Sequence, residues 1–208
     1  MKKLLILGIA AITFTACNTE KTDDSGNDTG KEVTQETKQN DYTISTEESI
    51  LDWKGSMAGV YDHEGTITFK DGEMSVKDGK VVSGNFTVDM NSMLTTDDDA
   101  LYVNAPREKL IEHLQADDFF ATDLFPTASF TVKSSEGNVI TGNLTIRGET
   151  NSEKVTDVIL SEENGDFTAT GKLVFDRQKY EVTYESKMKD MVLSDDIELE
   201  IHLKGKVK

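Results

Sequence analysis

The chain has 208 residues, a formal net charge of −17 and one cysteine. So acidic a surface repels phosphate backbones, which argues against nucleic acid as a partner. A single cysteine excludes an internal disulfide and a cysteine-based zinc site. The length allows one well-cored domain, and two prolines with 15 glycines fit a β-rich domain with many turns.

The first sixteen residues have the pattern of an export signal. Lys2 and Lys3 precede an apolar stretch, residues 4–12, that is too short to span a bilayer. Small residues then lead to Cys17, as in bacterial lipoproteins, although Phe14 stands where Leu is usual. We therefore predict a lipoprotein signal peptide at 1–16. The alternative is an ordinary signal peptide with an incidental cysteine.

Lipid on Cys17 is expected to hold the protein at a membrane. Acyl chains such as palmitate contribute ~0.8 kcal/mol per buried CH₂, so several chains anchor durably. Asn18 is not the aspartate that retains enteric-type lipoproteins in the inner membrane, which favours the outer membrane of a Gram-negative bacterium. The acidic residues Glu20, Asp23 and Asp24 resemble surface-export signals, so the periplasmic or surface side stays open.

Residues 17–41 form the predicted lipidated cysteine and an acidic linker. Thr, Asp, Glu, Lys, Asn and Gly dominate, and Val33 is the only large apolar residue. Such a segment cannot bury enough apolar surface to offset its ordering entropy. We predict that it is disordered, with a random-coil reach of about 25–30 Å.

From residue 42 to 207 apolar residues alternate with polar ones, which predicts strands with one apolar and one wet face. The alternating residues are Phe86, Val88 and Met90; Ala128, Phe130 and Val132; Ile140, Leu144 and Ile146; Phe167, Ala169, Leu173 and Phe175; and Ile197, Leu199, Ile201, Leu203 and Val207. Turns are predicted at Asp71-Gly72, Asp78-Gly79, Glu136-Gly137 and Asn164-Gly165. Helices long enough for parallel crossovers are missing, so we expect antiparallel hairpins.

Four glycines, Gly84, Gly142, Gly171 and Gly205, are in phase with the apolar faces of their strands. A glycine that faces inward leaves room where a side chain would sit, so together they favour a lumen or strong curvature. For any single one, a bulge or a tight barrel corner is the alternative.

One helix is predicted, beginning at Pro106 and ending near Gln115. Proline suits a first helical turn, and Leu110, Ile111 and Leu114 form an apolar stripe.

The sequence offers no catalytic or metal-binding pattern. His63, His113 and His202 are scattered without metal-ligand spacing, and His202 falls on the polar face of the last strand, where we predict a solvated side chain. No nucleophile elbow, zinc-protease motif or P-loop is present. We therefore predict no catalytic residue, no metal and no cofactor.

The charged residues at loop ends are predicted to be exposed to solvent. The acidic runs at 97–99 and 195–196 lack the alternating oxygen ligands and the glycine of a calcium loop. Arg147 and Arg177 follow strand-like segments. Each is able to meet an anionic head group or to form a structural ion pair, and the sequence leaves both open.

Several motifs resemble those of a known family. They are WKG, HEGTITFKDG and GNFTVDM from Trp53 onward, then REKLIEHLQADDFF, LFPTASFTV, GNLTIRGET and FDRQKYEVTY. In this order they resemble the YceI-like lipid/polyisoprenoid-binding family, especially its shorter lipoprotein members, over residues 42–207. Lys179-Tyr180-Glu181 stands where many members carry an acidic residue, an aromatic residue and glycine, which matches a sub-branch.

The resemblance implies an all-β, lipocalin-like antiparallel barrel of about eight strands with one short helix. Such a barrel is able to hold one long ligand in an apolar tunnel. The predicted lining residues are Phe86, Val88, Met90, Phe130, Val132, Gly142, Leu144, Ile146, Gly171, Leu173 and Phe175. The DFF and FPT segments are expected to shape the barrel mouth, with pure packing as the alternative.

The leading functional hypothesis is an envelope lipoprotein that binds or carries a polyisoprenoid, quinone-like lipid or another long-chain amphiphile. The alternative is a structural or stress-related envelope protein with a packed barrel and no ligand. An enzyme acting on the bound lipid would need His, Arg and carboxylate groups to converge at a tunnel end. The oligomeric state is left open.

Overall fold

The computed structural model describes residues 38–57, 60–103, 105–186 and 192–208. Within these ranges it contains ten strands and one α-helix. Their bounds are β1 Gln39–Ile44, β2 Ile50–Met57, β3 Tyr61–Lys77, β4 Lys80–Asp89, β5 Leu94–Thr95, α1 Arg107–Gln115, β6 Thr127–Glu136, β7 Val139–Ile146, β8 Glu149–Glu163, β9 Asp166–Asp176 and β10 Leu193–Val207.

Eight antiparallel strands close into a barrel. Their order is β2-β3-β4-β6-β7-β8-β9-β10, and β10 pairs again with β2. At the closure, Leu199 of β10 lies opposite Trp53 of β2 on one side and Leu173 of β9 on the other. The predicted antiparallel barrel of about eight strands is confirmed. Closure leaves these strands without free edges, so the inward apolar side chains form one core.

The short strand β1 shares the position of β2 between β3 and β10. Tyr42 of β1 lies opposite Met74 of β3 and Val207 of β10, beyond the point where β2 stops. Between β1 and β2 the chain leaves the sheet beside Lys204. The Lys204 carbonyl accepts a hydrogen bond from the Ser49 hydroxyl at 3.2 Å. One wall of the barrel is therefore made of two strands placed end to end.

Most of the predicted glycine-containing turns are present between the strands. Asp78-Gly79 and Asn164-Gly165 have positive φ at both residues, as type I′ hairpins require. The turn after β6 is shifted by one residue, to Gly137 and Asn138. The predicted turn at Asp71-Gly72 is wrong, because β3 continues through it to Lys77.

A β-bulge explains the behaviour of Asp71-Gly72. Phe69 pairs with Val88 but Asp71 pairs with Thr87, so one extra residue is inserted into β3. A Cβ on Gly72 would lie 2.8 Å from a side-chain carbon of Ile44, so the glycine permits close packing inside the barrel.

Helix α1 is confirmed at Arg107–Gln115 with Pro106 at its N-cap. It lies in the connection between β4 and β6, at the end of the barrel that also carries the β2–β3, β7–β8 and β9–β10 connections. We call this the helix end. Leu114 is buried against the barrel core, and Leu110 and Ile111 pack beside it.

At the opposite end of the barrel, the side formed by β1, β3, β9 and β10 is filled by side chains. We call it the closed end and define it by Tyr42, Ile44, Val76, Phe167 and Gly205. The four larger residues are buried, with Tyr42 and Val76 each 1% exposed. The Tyr42 and Phe167 rings meet edge to face with centroids 5.0 Å apart, a favourable arrangement for aromatic pairs.

The predicted signal peptide at 1–16, Cys17 and most of the 17–41 linker lie outside the described residues. The predicted linker ended at Asp41, whereas β1 already begins at Gln39. Among the residues that the structure describes, no helix has the length and apolar character needed to cross a membrane.

Candidate functional site

An apolar cavity of about 310 Å³ lies inside the barrel and extends to the helix end. Its size falls at the lower limit of small-molecule sites, which are typically about 300–1,000 Å³ and mostly apolar. Inward residues of the strands form its wall, and side chains of α1 border it at the helix end. The barrel is therefore hollow from the helix end as far as Val81 and Ile140 near the opposite hairpins, and it is filled where the closed-end residues pack.

Ten of the eleven residues predicted to line a tunnel do border this cavity. They are Phe86, Val88, Met90, Phe130, Val132, Leu144, Ile146, Gly171, Leu173 and Phe175. Their role in binding a ligand stays a prediction. Gly142 is not a lining residue, because the Phe130 ring covers it, and a Cβ there would lie 2.3 Å from Phe130 Cζ.

The phase of the inward glycines predicted a lumen or strong curvature, and the tight space beside them fits the second of these. A Cβ on Gly205 would lie 2.2 Å from the Thr43 carbonyl oxygen, and one on Gly171 would lie 2.6 Å from Val155 Cγ1. A Cβ on Gly84 would lie 3.0 Å from a Phe86 ring carbon. The room left by each missing side chain is taken by a neighbour, so these glycines allow tight packing and curvature.

The helix end supplies lining residues that strand alternation did not predict. They are Leu110, His113, Leu114, Phe119, Phe120 and Tyr184. The helix stripe and the DFF segment were the available signals, and the expectation that DFF shapes this end agrees with the position of both phenylalanines. Trp53, the only tryptophan of the chain, also borders the cavity.

Polar side chains are few in the lining. The residues with polar groups that border it, apart from the tyrosines at 61 and 184, are Trp53, His63, His113, Ser129, Thr170 and Ser186. The buried Nε1 of Trp53 has no hydrogen-bond partner among the described residues. One of the polar lining residues, His63, belongs to a larger polar cluster. Its Nδ1 lies 2.6 Å from Oδ2 of Asp97, a carboxylate whose side chain is only 1% exposed.

Asp97 is the centre of this polar cluster. Its carboxylate also accepts hydrogen bonds from the Glu64 amide at 2.6 Å and from the Tyr102 hydroxyl. Burial, and then the hydrogen bond to Asp97, raise the pKa of Tyr102. The prediction that Asp97 is a solvated loop end is wrong, because three donors hold it inside, whereas Asp99 remains exposed.

Arg107 holds the cluster from the outer side. Its guanidinium donates to Thr95 Oγ1 at 2.7 Å, to the Asp97 carbonyl at 2.8 Å and to Asp99 at 2.6 Å. It also lies over the Tyr102 ring, 4.4 Å from the centroid, which is a cation–π distance. The loop between β5 and α1 is thereby fixed against the rim of the cavity.

The two arginines whose role the sequence left open are structural. Arg147 donates to the carbonyls of Asp117, at 3.0 Å, and Phe119. Arg177 is buried and donates to the Val182 carbonyl at 2.5 Å, and burial lowers its pKa. Both direct guanidinium N–H groups at backbone carbonyls, while the buried Nε of Arg147 has no hydrogen-bond partner among the described residues.

Arg177 also makes an ion pair with Asp195 at 2.9 Å and donates to the Ser194 carbonyl at 3.0 Å. It therefore joins the segment after β9 to the start of β10. Of the remaining histidines, His202 is a surface residue paired with Asp52 at 3.2 Å, as predicted. His113 lies among aromatic rings, 4.5 Å from Tyr184 between centroids.

The family model for the YceI-like domain matches residues 42–205, nearly the whole described barrel. The chain belongs to the YceI-like family. Among curated relatives, a UPF0312 protein of Staphylococcus aureus is 43% identical over 51 residues, which are 24% of this chain and 30% of the relative. The chain thus matches less than a third of the length of these relatives.

Solved structures share the YceI-like fold. BcnA of Burkholderia cenocepacia is 20% identical with a TM-score of 0.62, over 77% of this chain and 98% of that chain. A polyisoprenoid binding domain from Saccharophagus degradans is 13% identical with a TM-score of 0.52, over 80% of this chain and 98% of that one. At these identities the likeness shows the fold alone.

Proposed function

We propose that this YceI-like protein is an envelope lipoprotein that binds or carries a polyisoprenoid or another long-chain amphiphile in its barrel. The observation that carries the proposal is the apolar cavity of about 310 Å³, which reaches the helix end. The family match and the fold shared with a polyisoprenoid binding domain support the same ligand class.

An apolar cavity is sufficient for a ligand of this kind. Burial of each methylene of an isoprenoid tail contributes ~0.8 kcal/mol before the costs of ordering the chain. A long tail therefore needs few polar contacts, which agrees with the small number of polar side chains in the lining. We propose binding without catalysis, and no cofactor other than the lipid itself.

The alternative of a packed barrel has less support. A solid interior requires the inward residues to fill the space around Leu144 and Leu173, and the cavity lies there instead. Only the closed end is packed in that manner. We therefore retain the ligand-binding role as the conclusion.

The identity of a co-purified lipid tests the proposal. The protein is purified under conditions that do not remove a bound lipid, and it is examined by native mass spectrometry. It is then delipidated. We expect a bound lipid in the first sample, and recovery of binding when geranylgeraniol is added to the second. Trp53 fluorescence reports the second step, because this lone tryptophan borders the cavity. Absence of lipid together with no response to geranylgeraniol overturns the proposal.

The envelope location is proposed from Cys17 and the signal pattern before it. Cells grown with a clickable palmitate analogue are expected to label the protein, and Cys17→Ala is expected to abolish the label. Protease treatment of intact cells separates the outer surface from the periplasmic side. Labelling that persists in Cys17→Ala contradicts lipid attachment at this residue.

A further inference from the structure

His63 is the place where the polar cluster of Asp97 meets the apolar cavity. Its ring borders the cavity, and its side chain is 20% exposed. Tyr61 packs against it with ring centroids 5.0 Å apart. Because Asp97 is fixed in turn by Glu64 and Tyr102, the imidazole is held in one orientation.

The fixed orientation determines what His63 is able to offer to a ligand. A carboxylate accepts hydrogen bonds only, so Nδ1 of His63 carries the proton directed at Asp97. In the neutral ring the other nitrogen, Nε2, then has a free lone pair and acts as an acceptor. Across the described parts of the chain, no polar atom forms a hydrogen bond with Nε2.

We propose that Nε2 of His63 accepts a hydrogen bond from a hydroxyl on the bound lipid. The cavity then prefers an isoprenoid that ends in an alcohol or phenol over the same chain ending in an ether. This inference rests on the proposed lipid-binding function, and it assigns the chemistry of the polar head to one residue.

Other polar lining groups do not make this distinction. Ser129 and Thr170 alternate with the inward residues of β6 and β9, so their hydroxyls lie on the outer face of the barrel. Nε1 of Trp53 is a donor only, so it pairs with alcohols and ethers alike. His113 also borders the cavity, but its nearest carboxylate, Asp118, lies 3.9 Å away and is exposed. Of the two histidines that border the cavity, His63 is therefore the one whose tautomer is fixed by a buried carboxylate.

The expected preference is modest. An intramolecular or ligand hydrogen bond of this kind is worth about threefold to tenfold in affinity once lost contacts with water are counted. A methyl ether cannot donate, and it would leave Nε2 buried against a methyl group. The discrimination therefore appears as a ratio between two ligands with the same tail.

The experiment compares geranylgeraniol with geranylgeranyl methyl ether, titrated into the delipidated protein and followed by Trp53 fluorescence. We expect the unaltered protein to bind the alcohol about threefold to tenfold more tightly than the ether. His63→Phe keeps a ring beside Tyr61 but removes the nitrogen, so the ratio should fall to about one. The matched control His202→Phe changes a surface histidine that does not border the cavity, and it should keep the ratio of the unaltered protein.

Three outcomes decide the matter. Equal affinities for alcohol and ether in the unaltered protein overturn the inference while leaving the proposed function standing, since both ligands still bind. A preference that survives His63→Phe also overturns it. If neither ligand binds, the proposed function itself fails. The comparison within the unaltered protein holds even where His63→Phe folds poorly.

Discussion

The closed end and the helix end of the barrel are built from the same alternating strands but are stabilised differently. At the closed end, Tyr42 and Phe167 fill the interior, and the Phe167 ring lies against Gly205. At the helix end, a cavity remains, and Arg147 and Arg177 hold the connections through backbone carbonyls. The difference separates the part of the barrel that supplies stability from the part that is free to take a ligand.

The largest difference in stability between the two ends is expected from adding one methyl group at each of them. In Gly205→Ala, the new Cβ would lie 2.2 Å from the Thr43 carbonyl oxygen, so backbone must move and we expect a loss of about 3 kcal/mol or more. In Gly55→Ala, the Cβ would meet only Ile197 Cδ1 at 3.6 Å, an ordinary contact beside the cavity.

Gly55→Ala is therefore expected to change the unfolding free energy by less than about 1 kcal/mol. Chemical denaturation of both variants measures the contrast. Equal losses at the two ends would show that the helix end is as tightly packed as the closed end.

A pair of valine-to-phenylalanine changes tests the same contrast with larger side chains. Val88 borders the cavity, so Val88→Phe is expected to fill it, to keep the stability and to weaken lipid binding about tenfold or more. Val76 is 1% exposed at the closed end, and Val76→Phe should cost about 1–3 kcal/mol from overpacking. Melting temperatures and geranylgeraniol titrations check both, and unchanged binding by Val88→Phe would contradict the assigned site.

Arg147→Met tests how the helix end is held. The change frees the carbonyls of Asp117 and Phe119 from their donor, with an expected cost of about 1–2 kcal/mol. Arg147 has a positive φ of 51°, and Met meets the same backbone constraint, so lost hydrogen bonds are the main change.

Hydrogen exchange should locate the effect of Arg147→Met. We expect faster exchange in residues 116–125 and unchanged protection at Tyr42 and Val76. Uniformly faster exchange over the whole barrel would instead indicate that Arg147 supports global folding.

The smallest effect is expected at alkaline pH. Burial and the nearby Glu153 carboxylate raise the pKa of Tyr180, whose hydroxyl lies 3.2 Å from Glu153. In the unfolded chain a tyrosine ionises near pH 10, so above about pH 10 the unfolded state binds fewer protons and stability falls as pH rises. Below that pH the contribution is complete.

We expect this group to contribute a slope of up to about 1.4 kcal/mol per pH unit above pH 10, which Tyr180→Phe removes. Burial also raises the pKa of Tyr42, so Tyr42→Phe provides the matched variant at the closed end. Urea denaturation between pH 8 and pH 11 measures the slopes. Parallel curves for Tyr180→Phe and the unaltered protein would exclude Tyr180 as a source of the pH dependence.

Strand alternation predicted much of the fold because most strands have one buried face. In β9, every second residue is buried from Phe167 to Phe175, and the buried side chains are Phe167, Ala169, Leu173 and Phe175. Strand β8 escaped prediction, since Val155 is its one buried residue and its position depends on pairing with β7 and β9.

The site was predictable where it is made of strand faces and not where it depends on distant contacts. The pairing of His63 with Asp97 joins positions 34 apart in the chain, and nothing in the loop sequence shows that this carboxylate turns inward. Arg147 with Gly148 forms a hairpin turn in place of the usual Asn-Gly, because its side chain is fixed on the helix-end backbone. The choice between a lumen and curvature at the inward glycines depended in the same way on distant contacts, since neighbouring side chains lie close to each of them.

The two strands placed end to end have a consequence for the order of events in assembly. Tyr42, in the first strand of the barrel, pairs with Val207, in the last strand, so one contact that closes the wall joins strands that are far apart in the chain. Until β10 arrives, the apolar interior has an open side from β2 to β9. Pairing between strands so far apart in the chain forms slowly, so we expect the closure of the barrel at β10 to be a late step of folding.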